Sequence, residues 1–365
     1  MSPTTALLWD IGPAYDFFMS LRVLHEPERW EVRGSWAAGV RSRLAGEHRD
    51  FLQSITRFLW APLGWLHGLP APKDSLTLLS ALNRLPVAER LPALSEFSAE
   101  NDTCHILPHL QAIAARGRWT PDDLDNLRRL TQTVRHPNPQ WLPAMVEWWA
   151  RRDEFGERLP AALQAYYEVF FAEEERRIQP ALQAALTHAQ ALAQTLTLTA
   201  LLEDLSQGVS YAAFPAVSEL ALAPSFWATP LLIHGELTPQ RHIVLFGARP
   251  AEMSLVPGDP VPETLYRQLK ALADPTRLRI LRYLSVEPHT PAELARKLRL
   301  RPPTVTHHLH LLRLAQLVRL TLDQETASPS YTTRPEALQA IGQHLDAFLV
   351  AGHQSGNERQ NPDLR

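Results

Sequence analysis

The densest set of groups able to recognise a polar partner lies in Thr290–Gln316, TPAELARKLRLRPPTVTHHLHLLRLAQ. Val305, Leu309 and Leu312 recur at i, i+4 and i+7, which makes one apolar stripe on a helix. Thr304, Thr306, His307 and His310 are left to point elsewhere. A helix that buries three aliphatics and displays hydroxyls, imidazoles and the Arg313 guanidinium suits a DNA major groove. The same histidines also invite a metal reading, since His307, His308 and His310 fall within four residues. Positions i, i+1 and i+3 of a regular helix cannot all converge on one ion, so DNA-facing side chains are the better expectation. Cys104, His105 and His109, with Asp102 nearby, form a second possible ligand group. Pro108 disturbs that helix and no fourth ligand is identifiable, so a structural role is expected there.

Other chemistry finds little support. There is no phosphate-binding glycine loop, no Gly-x-Ser-x-Gly elbow, no Cys-x-x-Cys pair and no His-Glu-x-x-His. With only 15 glycines in the chain, a cofactor loop is not expected. No cofactor and no metal are assigned, and the chain does not read as an enzyme; the alternative reading is a small-molecule-binding or enzymatic N-terminal domain fused to a DNA-binding module.

The elements around Thr290–Gln316 are those that would hold such a helix in place. Thr290 with Glu293 fits a capping box, and Pro291 sits at the first helical position, where a missing N–H costs nothing. Leu294 and Leu298 give that first helix a buried side. Upstream, Leu265, Leu269 and Leu272 mark one helix. Asp274 is a good N-cap for the next, with Pro275 at its first turn and Leu278, Leu281 and Leu284 as its core face. Downstream, Leu317–Leu322 and Ser330–Thr333 read as strands flanking Asp323–Pro329, a hairpin or wing. A last helix over Pro335–Val350 carries Leu338, Ile341, Leu345 and Phe348/Leu349 on one stripe, long enough to pair with a second chain.

Charge divides the chain in the same place. Residues 262–338 hold 12 Lys+Arg against 7 acids, +5, while the whole chain is −3, leaving −8 for the remainder. A basic module on an acidic body is the footprint of a nucleic-acid binder. All ten tryptophans lie before residue 230. The single cysteine excludes an internal disulfide and fits a reducing compartment. No apolar run reaches the roughly 18–20 residues of a membrane span and the N-terminus lacks a secretory pattern, so a cytoplasmic protein is expected.

The first 255 residues read as a helical domain with a small antiparallel sheet. Residues 4–11 suit a strand and Pro13 opens a helix with Phe17, Leu21 and Leu24 on one side. Trp141, Trp148 and Phe155 recur at seven residues and are read as core rather than a ligand pocket. Residues 159–206 give the longest helical signal, which Pro180 should kink or split. Glu173–Arg177 reads as a solvated helical surface. From Gly208 the pattern turns to β-type runs at Val217–Ala223, Leu231–His234 and His242–Phe246. Arg249–Pro262 holds four prolines and a glycine and reads as a linker. The expected division is 1–255, a regulatory or dimerisation domain; 263–350, a winged helix-turn-helix; and 351–365, a disordered tail.

The run Leu272-Ala273-Asp274-Pro275-Thr276-Arg277-Leu278-Arg279-Ile280-Leu281 resembles the entry to the winged helix-turn-helix of ArsR-type bacterial regulators. The likeness continues through Ala292–Ala295, Thr304–Leu309, Leu311-Leu312 and Leu317-Val318, about 75 residues in unbroken order. It implies a mainly α fold and a homodimer that sets its second helix into successive major grooves of double-stranded operator DNA. It further implies DNA contact by Pro303, Thr304, Thr306, His307 and His310, with Arg301 and Arg313 as phosphate partners. Three departures stand out. Arg301-Pro302-Pro303 replaces the usual small polar cap, the wing tip Asp323-Gln324-Glu325 is acidic, and neither a Cys-x-Cys pair nor a matching placement of His344 and His353 supports metal sensing. More weakly, Ile11-Gly12-Pro13 through Leu24 and the segment Leu231–Gly247 resemble an uncharacterised domain found ahead of this winged helix in some bacterial regulators. Together these features imply a transcription regulator, a repressor by expectation, whose first domain supplies dimerisation or senses a small-molecule effector.

Overall fold

A computed structural model describes residues 5–95, 104–131, 141–211, 217–322 and 329–357. The fold is mainly α with two small sheets and a C-terminal helix-turn-helix. The described strands are β1 (Ala6–Trp9), β2 (Val209–Tyr211), β3 (Glu219–Ser225), β4 (Ile233–Thr238), β5 (Arg241–Gly247), β6 (Val318–Leu322) and β7 (Ser330–Thr333). The helices that matter below are α1 (Ala14–His25), α2 (Leu198–Ser206), α3 (Glu263–Leu272), α4 (Pro275–Leu284), α5 (Pro291–Leu298), α6 (Pro302–Leu314) and α7 (Pro335–Asn357). The chain divides into two compact units. One comprises Met1–Leu186, Ala216–Ala228 and Ile233–Ala248, the other Thr187–Pro215, Thr229–Leu232 and Arg249–Arg365.

In the first unit the sheet runs β1-β3-β5-β4. It is mixed, not antiparallel as the sequence suggested: β1, β3 and β5 are parallel and only β4 runs against β5. The reason is visible in the strands. Leu220–Ala223 and Ile243–Phe246 are unbroken buried runs, the pattern of parallel strands covered on both faces. A parallel pair needs a long crossover, and nearly all the helices of this unit lie between β1 and β3. Gly12 is required at the turn into α1, where an added Cβ would stand 2.5 Å from the Lys73 carbonyl oxygen.

Aromatic rings fill the interior. Phe17 meets Tyr166 and Phe171 edge-on, and Trp148 meets Phe51 and Phe155 in the same way. Two sequence readings change here. The helix Ala172–Leu192 runs unbroken through Pro180, which lies on its exposed side with Arg176, where water can satisfy the carbonyl that proline leaves free. Glu174, within the supposedly solvated acidic run, is buried and accepts from the Trp227 indole at 2.9 Å and from Arg177.

The second unit is built around the winged helix. Its core joins Ile280, Leu284, Leu294, Leu298, Val305, Leu309, Leu312, Leu317 and Val318. Asp274 caps α4, Thr290 and Glu293 form a reciprocal capping box on α5, and Arg299 ends α5 in the left-handed region at φ 57°. On α4 it is Ile280, not Leu278, that enters the core beside Leu281 and Leu284; Leu278 is exposed. Two boundaries move. The unit takes in Thr187–Pro215 and Thr229–Leu232, placed by sequence in the first domain, because β2 pairs in parallel with β6 and turns the wing into a three-stranded sheet, β2-β6-β7. The last helix continues to Asn357, where a disordered tail was expected from residue 351.

Candidate nucleic-acid interface

Helix α6 sorts its side chains as its periodicity requires. Val305, Leu309 and Leu312 are fully buried, and around them Arg301, Pro302, Pro303, Thr304, Thr306 and His307 are exposed, with His310 half-buried. Five of the seven residues singled out for DNA contact, Arg301, Pro303, Thr304, Thr306 and His307, therefore share the open surface at the start of α6, with His310 at its margin. The histidines separate. His307 is exposed, whereas the His308 Nδ1 faces the N-cap carboxylate of Asp274 at 3.9 Å and burial holds its pKa down.

The two prolines change what this helix start can offer. A helix N-terminus ordinarily presents four free N–H groups to an anion. Pro302 and Pro303 have none, and the Thr304 N–H is spent on the Arg301 carbonyl at 3.0 Å. Phosphate contact by the backbone is thus closed at this end, and the charge available is that of side chains. Arg296, Arg299 and Arg301 stand exposed around the turn between α5 and α6.

Arg313 requires a correction. Sequence placed it among the phosphate partners, but it is buried at 4% exposure. Its guanidinium donates to the carbonyls of Ser206, Gln207 and Pro230, the last two at 3.2 and 3.1 Å. Burial pushes its pKa down to about 10, so it remains charged at neutral pH. Arg267 and Arg277 are buried as well, Arg267 against Glu263 at 2.9 Å and Arg277 on the carbonyls that end α3. Arg319 and Arg334 pair with Glu203 and Glu336, each at 3.0 Å. The +5 balance therefore overstates the charge turned outward. Five of the twelve cations hold the module together.

Of the remaining sites, the acidic wing tip Asp323-Gln324-Glu325 lies outside the described residues, as does Asp102. His105 and His109 are exposed, and His109 meets Asn126 at 3.2 Å. Among the described residues no three His, Cys, Asp or Glu side chains are grouped so as to hold a metal ion.

The geometry is that of two helices about a tight turn, a buried aliphatic stripe under an exposed polar face, and a wing. Residues 272–321 match the family model described as a helix-turn-helix domain. That span runs from the end of α3 through α6 into β6 and includes the exposed start of α6. No curated protein and no solved structure matches the chain. Among the described residues no helix is long and apolar enough to cross a membrane.

Most of what sequence reasoning missed lies outside the helix-turn-helix match, namely β2, the Gln207 and Pro230 carbonyls and the inward role of Arg334; the inward role of Arg313, inside the match, depends on those outside carbonyls. The one local signal was the change of pattern at Gly208.

Proposed function

We propose that this protein is a sequence-specific DNA-binding transcription regulator of the ArsR type, a bacterial repressor that acts as a homodimer from the cytoplasm. The observation that carries the reading is the face of α6, where Thr304, Thr306 and His307 stand exposed directly above a stripe of fully buried aliphatics. Hydroxyl and imidazole groups held on a rigid helix can read base edges, while Arg296, Arg299 and Arg301 supply sequence-independent attraction to phosphate. Dimerisation is supported by α7, which leaves Leu345, Leu349 (54% exposed) and Val350 (56%) uncovered within the chain, with Leu269 of α3 also exposed. A row of large aliphatics in water favours a partner surface, and a second copy would present the same row about a twofold axis. A repressor then acts by occupying its operator and excluding polymerase. Selection of duplexes from a random library tests this, with enrichment of a two-half-site sequence as the expected result and no enrichment as the opposing one.

The first unit is assigned control of this activity. One cluster favours an effector-binding role within that reading. The Asp10 carboxylate, just past the end of β1, accepts from Tyr15 at 2.7 Å, from His67 Nδ1 at 2.9 Å and from Lys73. Burial pushes Asp10 up, but these hydrogen bonds outweigh it and hold it at about 2. This cluster stands at the carboxyl end of the parallel strand β1, the usual place for ligands in such sheets. Loss of effector response in His67→Ala with unchanged DNA affinity is the expected outcome.

A further inference from the structure

The buried Arg313 guanidinium donates through its two terminal nitrogens to backbone carbonyls from two segments far away in sequence. Helix α2 ends at Ser206, and its last carbonyls carry the negative pole of the helix. Arg313 donates to Ser206 and, at 3.2 Å, to Gln207, and Arg334 donates to the same Gln207 oxygen at 2.7 Å and to Gln316 at 3.2 Å. Two guanidinium groups, one from the end of α6 and one from the base of the wing, therefore cap a single helix. Beside them Gln207 and Gly208 take positive φ, 53° and 118°, and an added Cβ on Gly208 would stand 2.9 Å from Arg334 Cδ and 3.3 Å from the Val318 oxygen. The chain then enters the wing sheet, with Val209 opposite Leu320 and Tyr211 opposite Leu322, and the Leu320 N–H bonds the Gly208 oxygen at 2.8 Å.

We propose that Arg313 and Arg334 are positioning residues of the DNA-reading helix, seating α6 and the wing on α2–β2 so that sequence discrimination depends on a segment outside the helix-turn-helix module. The proposal rests on the DNA-binding reading given above. A guanidinium is a rigid fork of five donors that is costly to bury unpaired, so its acceptors must keep their places. Arg313 lies nine residues along α6 from Thr304, roughly 13 Å, so a small rotation at the clamp displaces the exposed face. Base-edge hydrogen bonds do not survive that displacement, while long exposed arginines still reach phosphates. The segment also has a second property. It leaves the first unit after Leu186 and rejoins it at Ala216, so both of its ends are covalently held there.

The test uses the full-length chain with Arg313→Met, Arg313→Lys and Gly208→Ala. The probes are a duplex enriched from a random library by the unmodified protein and a mixed-sequence duplex, each titrated from about 50 to about 200 mM salt. Arg313→Met and Gly208→Ala should lower the ratio of specific to non-specific affinity about tenfold or more with the salt slope unchanged, and Arg313→Lys should recover part of it. Amides of α6 and β6 should exchange faster in both. Equal weakening on both duplexes, with a slope smaller by about one, would make Arg313 a phosphate contact and overturn the proposal. So would unchanged discrimination or unchanged exchange in Gly208→Ala, a variant outside α6 beside Arg334 and Val318 that decides the matter even if Arg313→Met does not fold. If the unmodified chain enriches no duplex, the DNA reading fails by itself, and the exchange comparison still judges the clamp.

Discussion

At the scale of single residues, a side chain's role here follows from what surrounds it more than from its own charge. Arg313 and Arg301 are the same residue type, yet one is buried on carbonyls and the other is exposed at the start of α6. On the exposed face, Thr304→Ala and His307→Ala should each cost about 1–3 kcal/mol against the selected duplex and leave mixed-sequence binding unchanged, measured by competition titration. In the first unit the fully buried Asp16 accepts from Ser225 at 2.6 Å and from the Trp227 amide at 2.8 Å, and burial pushes it up to about 6. The folded protein therefore holds this proton more tightly than the unfolded chain. Its stabilising effect is full below the ordinary carboxyl range near 4 and is lost as pH rises through about 6. Relative to Asp16→Asn, the unmodified protein should lose about 1–1.5 kcal/mol of unfolding free energy between pH 5 and pH 7.5, read by urea denaturation. The polar face of α6 was legible because helical spacing is local. The burial of Arg313 was not, since its acceptors lie more than 80 residues away.

At the scale of elements, caps and stripes did most of the specifying. Asp274, Thr290 and Glu293 cap as their types predict, with the Arg277 amide at 2.8 Å from Asp274 and the Thr290 amide at 2.8 Å from Glu293. Removing one cap, as in Asp274→Ala, should cost about 0.5–2 kcal/mol, seen as a lower denaturation midpoint with an unchanged m-value. Leu309→Ala should cost about 2–5 kcal/mol, because it empties space under the exposed face. The sheets were harder to read. The strands β3 and β5 were located, but direction and neighbours are set by a crossover spanning most of the first unit, which no short window contains. Strand β2 is only three residues long and owes its existence to pairing with β6, over 100 residues downstream.

At the scale of the whole molecule, the sequence marked two compositions, an acidic body rich in tryptophan and a basic module. The compact units follow contacts rather than chain order, so the segment from Thr187 to Pro215 belongs with the module that composition had separated from it. The uncovered leucines of α7 argue for a second copy. Leu349→Lys should shift the protein toward monomer in sedimentation velocity and weaken two-half-site binding far more than half-site binding. The most direct test of the central claim is a salt titration of the full-length protein on its selected duplex beside a mixed-sequence duplex. Specific binding should exceed non-specific binding by about a thousandfold or more, and both should weaken steeply as salt rises. Equal affinity for the two duplexes, or affinity indifferent to salt, would contradict it.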